Sequence, residues 1–390
     1  MSLGKKGIMN YTLLKTYPHE FFEEQNQPCI SLYMPADPKG FDHKKDQLVF
    51  KNLVKKIADS LETDEDYKDM KLIFKDLESI EDDKLFWDQV TSGLALFANQ
   101  KEIVIYLLEQ EVNPLAIVSN TYHLKPLHGY FQSLETYHIL ALDQDRFEVH
   151  QGDYITIKKI DLPSKIKTTS KEVLGKEHTE SYQTHGTYGG AEDGSTFHGH
   201  GGKSDEIDID RLNFFRYVDK TVLEEISKHQ KYPLILLSHK EHHHVFKDLS
   251  KNPYLIEESI DGSIKDVSDK ALKQKIYEIN QKRFKTVLDK LIEQYHTLKQ
   301  SHLSSDQLNT IIKALIEKKV ETLFIEDQKI IPGKIDYKQG KIIKGSLSDP
   351  NTDDILDDMI ELAIKTGSKV YVLDKKQMPT DTSVAAIFRY

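Results

Sequence analysis

A single cysteine, Cys29, in 390 residues excludes an internal disulfide framework and any cysteine-based zinc finger. No apolar run reaches the length of a membrane span. The longest, PLILLS and IVIYLL, have the length of buried strands. The first residues lack the charged-then-apolar pattern of an export signal, and MSLGKKG reads as an expression remnant outside the fold. These absences point to the cytoplasm and to no membrane partner. Basic surplus is missing as well: 53 Lys and Arg stand against 63 Asp and Glu, a net charge of -10. A free-standing binder of naked nucleic acid neutralises phosphates with excess Lys and Arg. The balance therefore argues against tight non-specific binding. It leaves room for a local basic face, or for docking on an assembly that offers protein and RNA together.

The length predicts two or three domains with cores of their own. In the first block, PCISLYMP alternates Ile30, Leu32 and Met34 with Ser31 and Tyr33, the pattern of a strand. Val49, Leu53, Ile57 and Leu61 then recur every fourth position and predict a helix over 44–61. GLALFANQKEIVIYLLE predicts two strands about a turn at Asn99 and Gln100. The second block opens as a β-meander, with turns at 143–145 and at Gly152 and Asp153. A long polar stretch without periodicity follows over 163–208. Beyond it, Ile209, Leu212, Phe215, Val218, Val222 and Ile226 share a helical face, and YPLILLS is a buried strand. The third block predicts helices over 268–300, 306–319 and 353–366, the last with Gly367 at its C-terminal cap. Its strands are ETLFIED, KVYVLD and VAAIFRY. The expected fold is α/β (α+β) in three successive domains. These are an N-terminal α/β domain over 1–126, a ribonuclease-H-like middle domain with a long Gly/His loop over 127–262, and a C-terminal α/β sandwich over 263–390.

The long loop ends in FHGHGGKSDEI, residues 197–207. GGKS suggests a nucleotide P-loop, but G-x-x-x-x-G-K-[ST] needs a glycine where Phe197 stands, and a strand immediately before the loop. Histidines cluster at His185, His198 and His200, and again at His239, His242, His243 and His244. Imidazoles bind zinc, yet no H-E-x-x-H or paired cysteine supports a site, and solvated polar residues are the plainer reading. Asp143, Asp145, Glu148 and Asp153 would be the carboxylates of a two-metal nuclease, although aspartates at such positions serve turn chemistry alone. The fourth reading is a mobile loop with a small tip. Gly199, Gly201 and Gly202 let a main chain approach a crowded partner, and a disordered spacer is its bland counterpart.

HGHGGKS, residues 198–204, resembles the HGRGGQS stretch of the archaeal and eukaryotic class-1 peptide-chain release factors, and it precedes a helix as it does there. VETLFIED, LDDMIELAIKTGSKVYVLD and AAIFRY resemble the last domain of those factors and of their Pelota relatives. ISLYMP and FWDQVTSGLALF resemble the N-terminal domain of the bacterial branch. The resemblance implies a ribosome-associated, tRNA-shaped factor with rRNA and tRNA as partners. A translational GTPase or another protein would dock on its C-terminal domain, and no cofactor or metal is expected. The contacting tip would be His198, Gly199, His200, Gly201, Gly202, Lys203 and Ser204. The family glutamine is here Lys203, and an ammonium only donates where an amide both donates and accepts. No Lys or Arg occurs over 178–202, while Glu180, Glu192 and Asp193 do. The expectation is therefore rescue, stalling response or hibernation rather than stop-codon reading. Hydrolysis of peptidyl-tRNA or RNA, and a non-catalytic protein-binding scaffold, are the alternatives.

Overall fold

The computed structural model describes residues 11–23, 28–37, 43–61, 70–153, 156–175, 202–346 and 352–390. It divides into two compact units, Met1–Ser133 with Lys285–Tyr390, and Leu134–Phe284. The first and last blocks of the sequence thus fold as one unit. Among the described residues, no helix is long and apolar enough to cross a membrane.

The first block contributes strands β1 (Thr12–Leu13), β2 (Cys29–Pro35), β3 (Gly93–Ala98), β4 (Ile103–Leu108) and β5 (Leu115–Ser119). They form a sheet of order β1-β4-β3-β2-β5. Helices α1 (His43–Leu61), α2 (Lys71–Glu81) and α3 (Lys84–Trp87) accompany it, and α4 (Lys125–Phe131) follows. Strand alternation sorts the side chains between the two faces. Ile30, Leu32, Met34, Leu94, Leu96 and Ile105 meet α1 and α2 in an aliphatic core. On the other face Tyr33, Phe97 and Tyr106 join Phe21, Phe22 and Tyr122 in an aromatic layer of edge-to-face, tilted and stacked rings. The buried stripe of α1 runs through Phe50, Val54, Ile57 and Leu61. Val49 and Leu53, expected at its centre, pack at its margin. The turn at Asn99 forms as expected, its Oδ1 accepting from the amides of Lys101 and Glu102.

The second unit contains β6 (Tyr137–Leu142), β7 (Phe147–Gly152), β8 (Ile157–Lys159), β9 (Leu234–Ser238) and β10 (Leu255–Asp261). Its sheet order is β10-β9-β6-β7-β8. β6, β7 and β8 are the antiparallel meander, and β9 and β10 are added parallel to β6. This is the ribonuclease-H-like arrangement. The helices are α5 (Ser170–Leu174), α6 (Gly202–Val222), α7 (Lys228–Gln230), α8 (Lys240–Leu249) and α9 (Asp269–Leu298). Phe214, Phe215, Val218 and Val222 of α6 and Phe246 of α8 pack on one face of the sheet. Leu272 and Ile276 of α9 pack on the other, which carries this compact unit to Phe284.

The last block adds β11 (Ser304–Ser305), α10 (Leu308–Ile316), β12 (Val320–Glu326), β13 (Pro332–Asp336), β14 (Lys341–Lys344), β15 (Asp353–Asp354), α11 (Ile355–Lys365), β16 (Lys369–Leu373) and β17 (Val384–Phe388). Sheets β11-β17-β12-β16 and β14-β13-β15 pack with α10 and α11 around one core. Gly367 ends α11 with φ 73°, the left-handed cap that its sequence position predicts. Leu356, Met359, Ile360 and Ala363 are buried as expected. Ile364 is not; it is 41% exposed.

Candidate functional site

His198, Gly199, His200 and Gly201 lie outside the described residues. The last three residues of the expected tip do not. Gly202, Lys203 and Ser204 form the first turn of α6. The helix begins here rather than near Ile209, which sits two turns in and is 55% exposed. Its opening turns, GKSDEIDID, carry no apolar stripe, so hydrophobic periodicity cannot locate its start. A helix N-terminus presents unpaired backbone amides and the positive end of the macrodipole. The sequence adds Lys203 at that end and follows it with Asp205, Glu206 and Asp208, the sign that a helix N-terminus favours. Phe214, Phe215 and Val218, fully buried, anchor the helix to the sheet.

The rival sites resolve into structural roles. Asp143 and Asp145 flank Arg146 at the β6–β7 turn, at 4.0 and 3.4 Å. Glu148 pairs with Lys159 at 2.9 Å, and that bond holds its carboxyl below the usual range. Asp153 Oδ1 accepts from the Thr156 amide at 2.6 Å, one strand length from Asp143. These carboxylates are spent on local cations and turns and do not converge. In the histidine cluster, His239 is the residue before α8. His242 is buried edge-on against Phe215 at 5.5 Å. His243 Nε2 meets the Ser238 carbonyl at 2.7 Å, and His244 pairs with Asp248 at 3.0 Å. Among the described residues no group of three His, Cys, Asp or Glu is arranged to hold a metal ion. His185 falls outside them.

Within the first unit the structure reveals a charged seam that the sequence reading missed. Lys125, at the start of α4 and 1% exposed, sends its Nζ to Asp354 Oδ2 at 2.5 Å and to the Lys329 carbonyl. Its amide donates to Asp357 Oδ1 at 2.5 Å. Ser119 and Thr121 donate to Asp353 Oδ2 at 2.7 and 2.5 Å. Gln132 pairs with both backbone groups of Val372 on β16, at 2.6 and 2.8 Å. Gly129 lets α4 approach: a Cβ there would come to 3.3 Å from Val372 Cγ1. The available signal was the spacing DDILDD, which puts Asp353 and Asp354 four residues ahead of Asp357 and Asp358.

Residues 135–282 match the family Bacterial archaeo-eukaryotic release factor family 6. The matched residues lie within the second compact unit, and the similarity is to the bacterial branch of the archaeo-eukaryotic release factors. Solved structures similar to it include archaeal Pelota in a ribosome-bound model with ABCE1, 11% identical over 74% of this chain and 72% of that one, with a TM-score of 0.40. The archaeal termination factor aRF1 is 13% identical over 95% of each chain, with a TM-score of 0.22. Dom34 of S. cerevisiae, titled a translation termination-like factor in RNA quality control that interacts with Hbs1, is 12% identical over 74% of each chain, with a TM-score of 0.33. No curated protein matches the chain.

Proposed function

We propose that the chain is a ribosome-associated, tRNA-mimicking translation factor that acts in rescue, stalling response or hibernation rather than in stop-codon termination. The observation that carries this reading is the family match over 135–282 together with a Gly-Gly-Lys step that runs directly into α6. His198, Gly199, His200, Gly201, Gly202, Lys203 and Ser204 are the proposed contact with rRNA or tRNA. The two glycines permit close backbone approach. The Lys203 ammonium and the amides of the first turn of α6 suit phosphate oxygens. Peptidyl-tRNA hydrolysis draws its rate from positioning water and from stabilising oxyanion charge. An ammonium cannot accept a hydrogen bond from that water as an amide oxygen can, and this is why termination chemistry is not assigned. The proposed partners are the ribosome and a translational GTPase or other protein docking on the C-terminal domain, in the cytoplasm, over building blocks 1–126, 127–262 and 263–390.

The test is a reconstituted assay on ribosomes holding labelled peptidyl-tRNA at a stop codon and on a truncated message. The expected result is that the peptide stays esterified at the stop codon with the wild-type chain, within twofold of the uncatalysed rate. Multiple-turnover release by the wild-type chain would overturn this and establish the hydrolase instead.

A further inference from the structure

The seam between the first and last blocks holds more acid than its base can match. Asp353, Asp354, Asp357 and Asp358 of β15 and α11 are all buried, and Lys125 is the ammonium that enters among them. With all four ionised and one lysine present, the interior would carry an excess of negative charge withdrawn from water, at a cost of several kcal/mol per unpaired ion. Donors are distributed unequally. Asp354 has the Lys125 ammonium and the amides of Ile331 and Leu356. Asp353 has the hydroxyls of Ser119 and Thr121 and the amide of Asp354. Asp357 has the amide of Lys125. It also faces His123 Nδ1 at 3.8 Å, a buried nitrogen with no hydrogen-bond partner. His123 is kept neutral, pushed down to about 3 by burial and by Lys125. A neutral ring brings no charge to offset one on Asp357, and 3.8 Å is too long for a hydrogen bond.

We propose that this seam is a proton-dependent latch: a proton on Asp357 holds residues 119–133 against α11, a proton on Asp358 holds α11 against β13, and their release loosens these contacts as pH rises. The proposal is independent of the ribosomal reading. The groups facing Asp358 are Asp353, Asp354 and Glu361 along its own segment, and the Ile335 backbone and Tyr337 from β13 and its turn. Those facing Asp357 are Lys125, His123, Asp353 and Asp354, with Tyr17 and Tyr33 from the first block. Burial, then Asp353 and Glu361, pushes Asp358 up to about 8 from an ordinary value of 3.8. Burial raises Asp357 well above the same value. The folded state then binds protons more tightly than the unfolded chain. The stabilisation is complete below the ordinary carboxyl value of 3.8 and declines as pH rises above it, Asp358 keeping a share until about 8.

The experiment is amide hydrogen exchange of the full chain at pH 6, 7, 8 and 9, corrected for intrinsic exchange. Peptides over 119–133 and 353–365 are compared with peptides over 137–142 and 234–238 in the other unit. Seam protection is expected to fall by up to about tenfold per pH unit for each proton released, while the second-unit peptides hold steady. Asp357→Asn, close to isosteric and still able to accept from the Lys125 amide, should flatten the slope over 119–133 and raise protection at pH 8. Parallel behaviour of seam and second-unit peptides in the wild type would overturn the latch, as would an unchanged slope in Asp357→Asn. The wild-type series decides the matter alone if the variant does not fold.

Discussion

Lys125→Met lowers the stability of the first unit by about 3–5 kcal/mol, the typical cost of removing one partner of a buried pair. The methionine fills the lysine's volume, so the loss is electrostatic rather than a cavity. Asp354, 0% exposed, then has no ammonium opposite it, and a buried carboxyl without its partner costs free energy. The Lys329 carbonyl loses a donor as well. Asp354→Asn in the same chain should recover part of the loss, because it removes the stranded charge while its amide oxygen can still accept from Leu356 at the head of α11. A double-mutant cycle in urea reads the coupling directly. Two compact units make a single unfolding transition unsafe, so the melting of each unit is followed separately by hydrogen exchange. Additive single effects would show that Lys125 and Asp354 do not act as a pair.

Phe215→Ala is expected to destabilise the second unit by about 3–5 kcal/mol, as phenylalanine truncations in cores do. Phe215 is fully buried at the contact of α6 with α8, with ring contacts to His242 at 5.5 Å and Phe246 at 5.8 Å. Its removal leaves a void between two helices that share no backbone ladder and so cannot easily close it. For a unit of this size the loss lowers the melting temperature by on the order of 10 °C. The functional consequence is carried by α6 itself. Its first turn is Gly202, Lys203 and Ser204, so a loosened anchor at Phe215 reaches the proposed tip without touching it. Circular dichroism melts check the stability. A shift below 2 °C would mean that the interface repacks around the missing ring.

Local pattern gave most of the elements, and long-range pairing gave the surprises. Alternation found β2, β3, β4, β6 and β9, because both faces of these strands are buried and their apolar runs are unmistakable. It missed the start of α6, whose first two turns are polar. It also missed α8, whose KEHHHV opening reads as solvated polar residues rather than as a helix buried through His242 and Phe246. Helix α4 was cut by an expected domain boundary at 126, although its Gln132 and Gly129 bind it to β16. The seam could not be read at all from periodicity. Ser119 and Asp353 are 234 residues apart in sequence, and an aspartate on a helix gives no sign of whether water or a distant lysine will face it. Of the proposed tip, the sequence showed the glycines and the departure at Lys203. It did not show that Gly202 is already helical.

Co-sedimentation of the purified chain with ribosomes in sucrose gradients, with and without deletion of residues 192–203, tests the central claim most directly. The intact chain is expected to travel with ribosomes, and the deletion to lose at least tenfold in the bound fraction at limiting ribosome concentration, with its melting profile unchanged. Absence of the intact chain from ribosome fractions, across salt concentrations and stress-derived ribosome preparations, would contradict the translation reading and favour a protein-binding scaffold on the same fold.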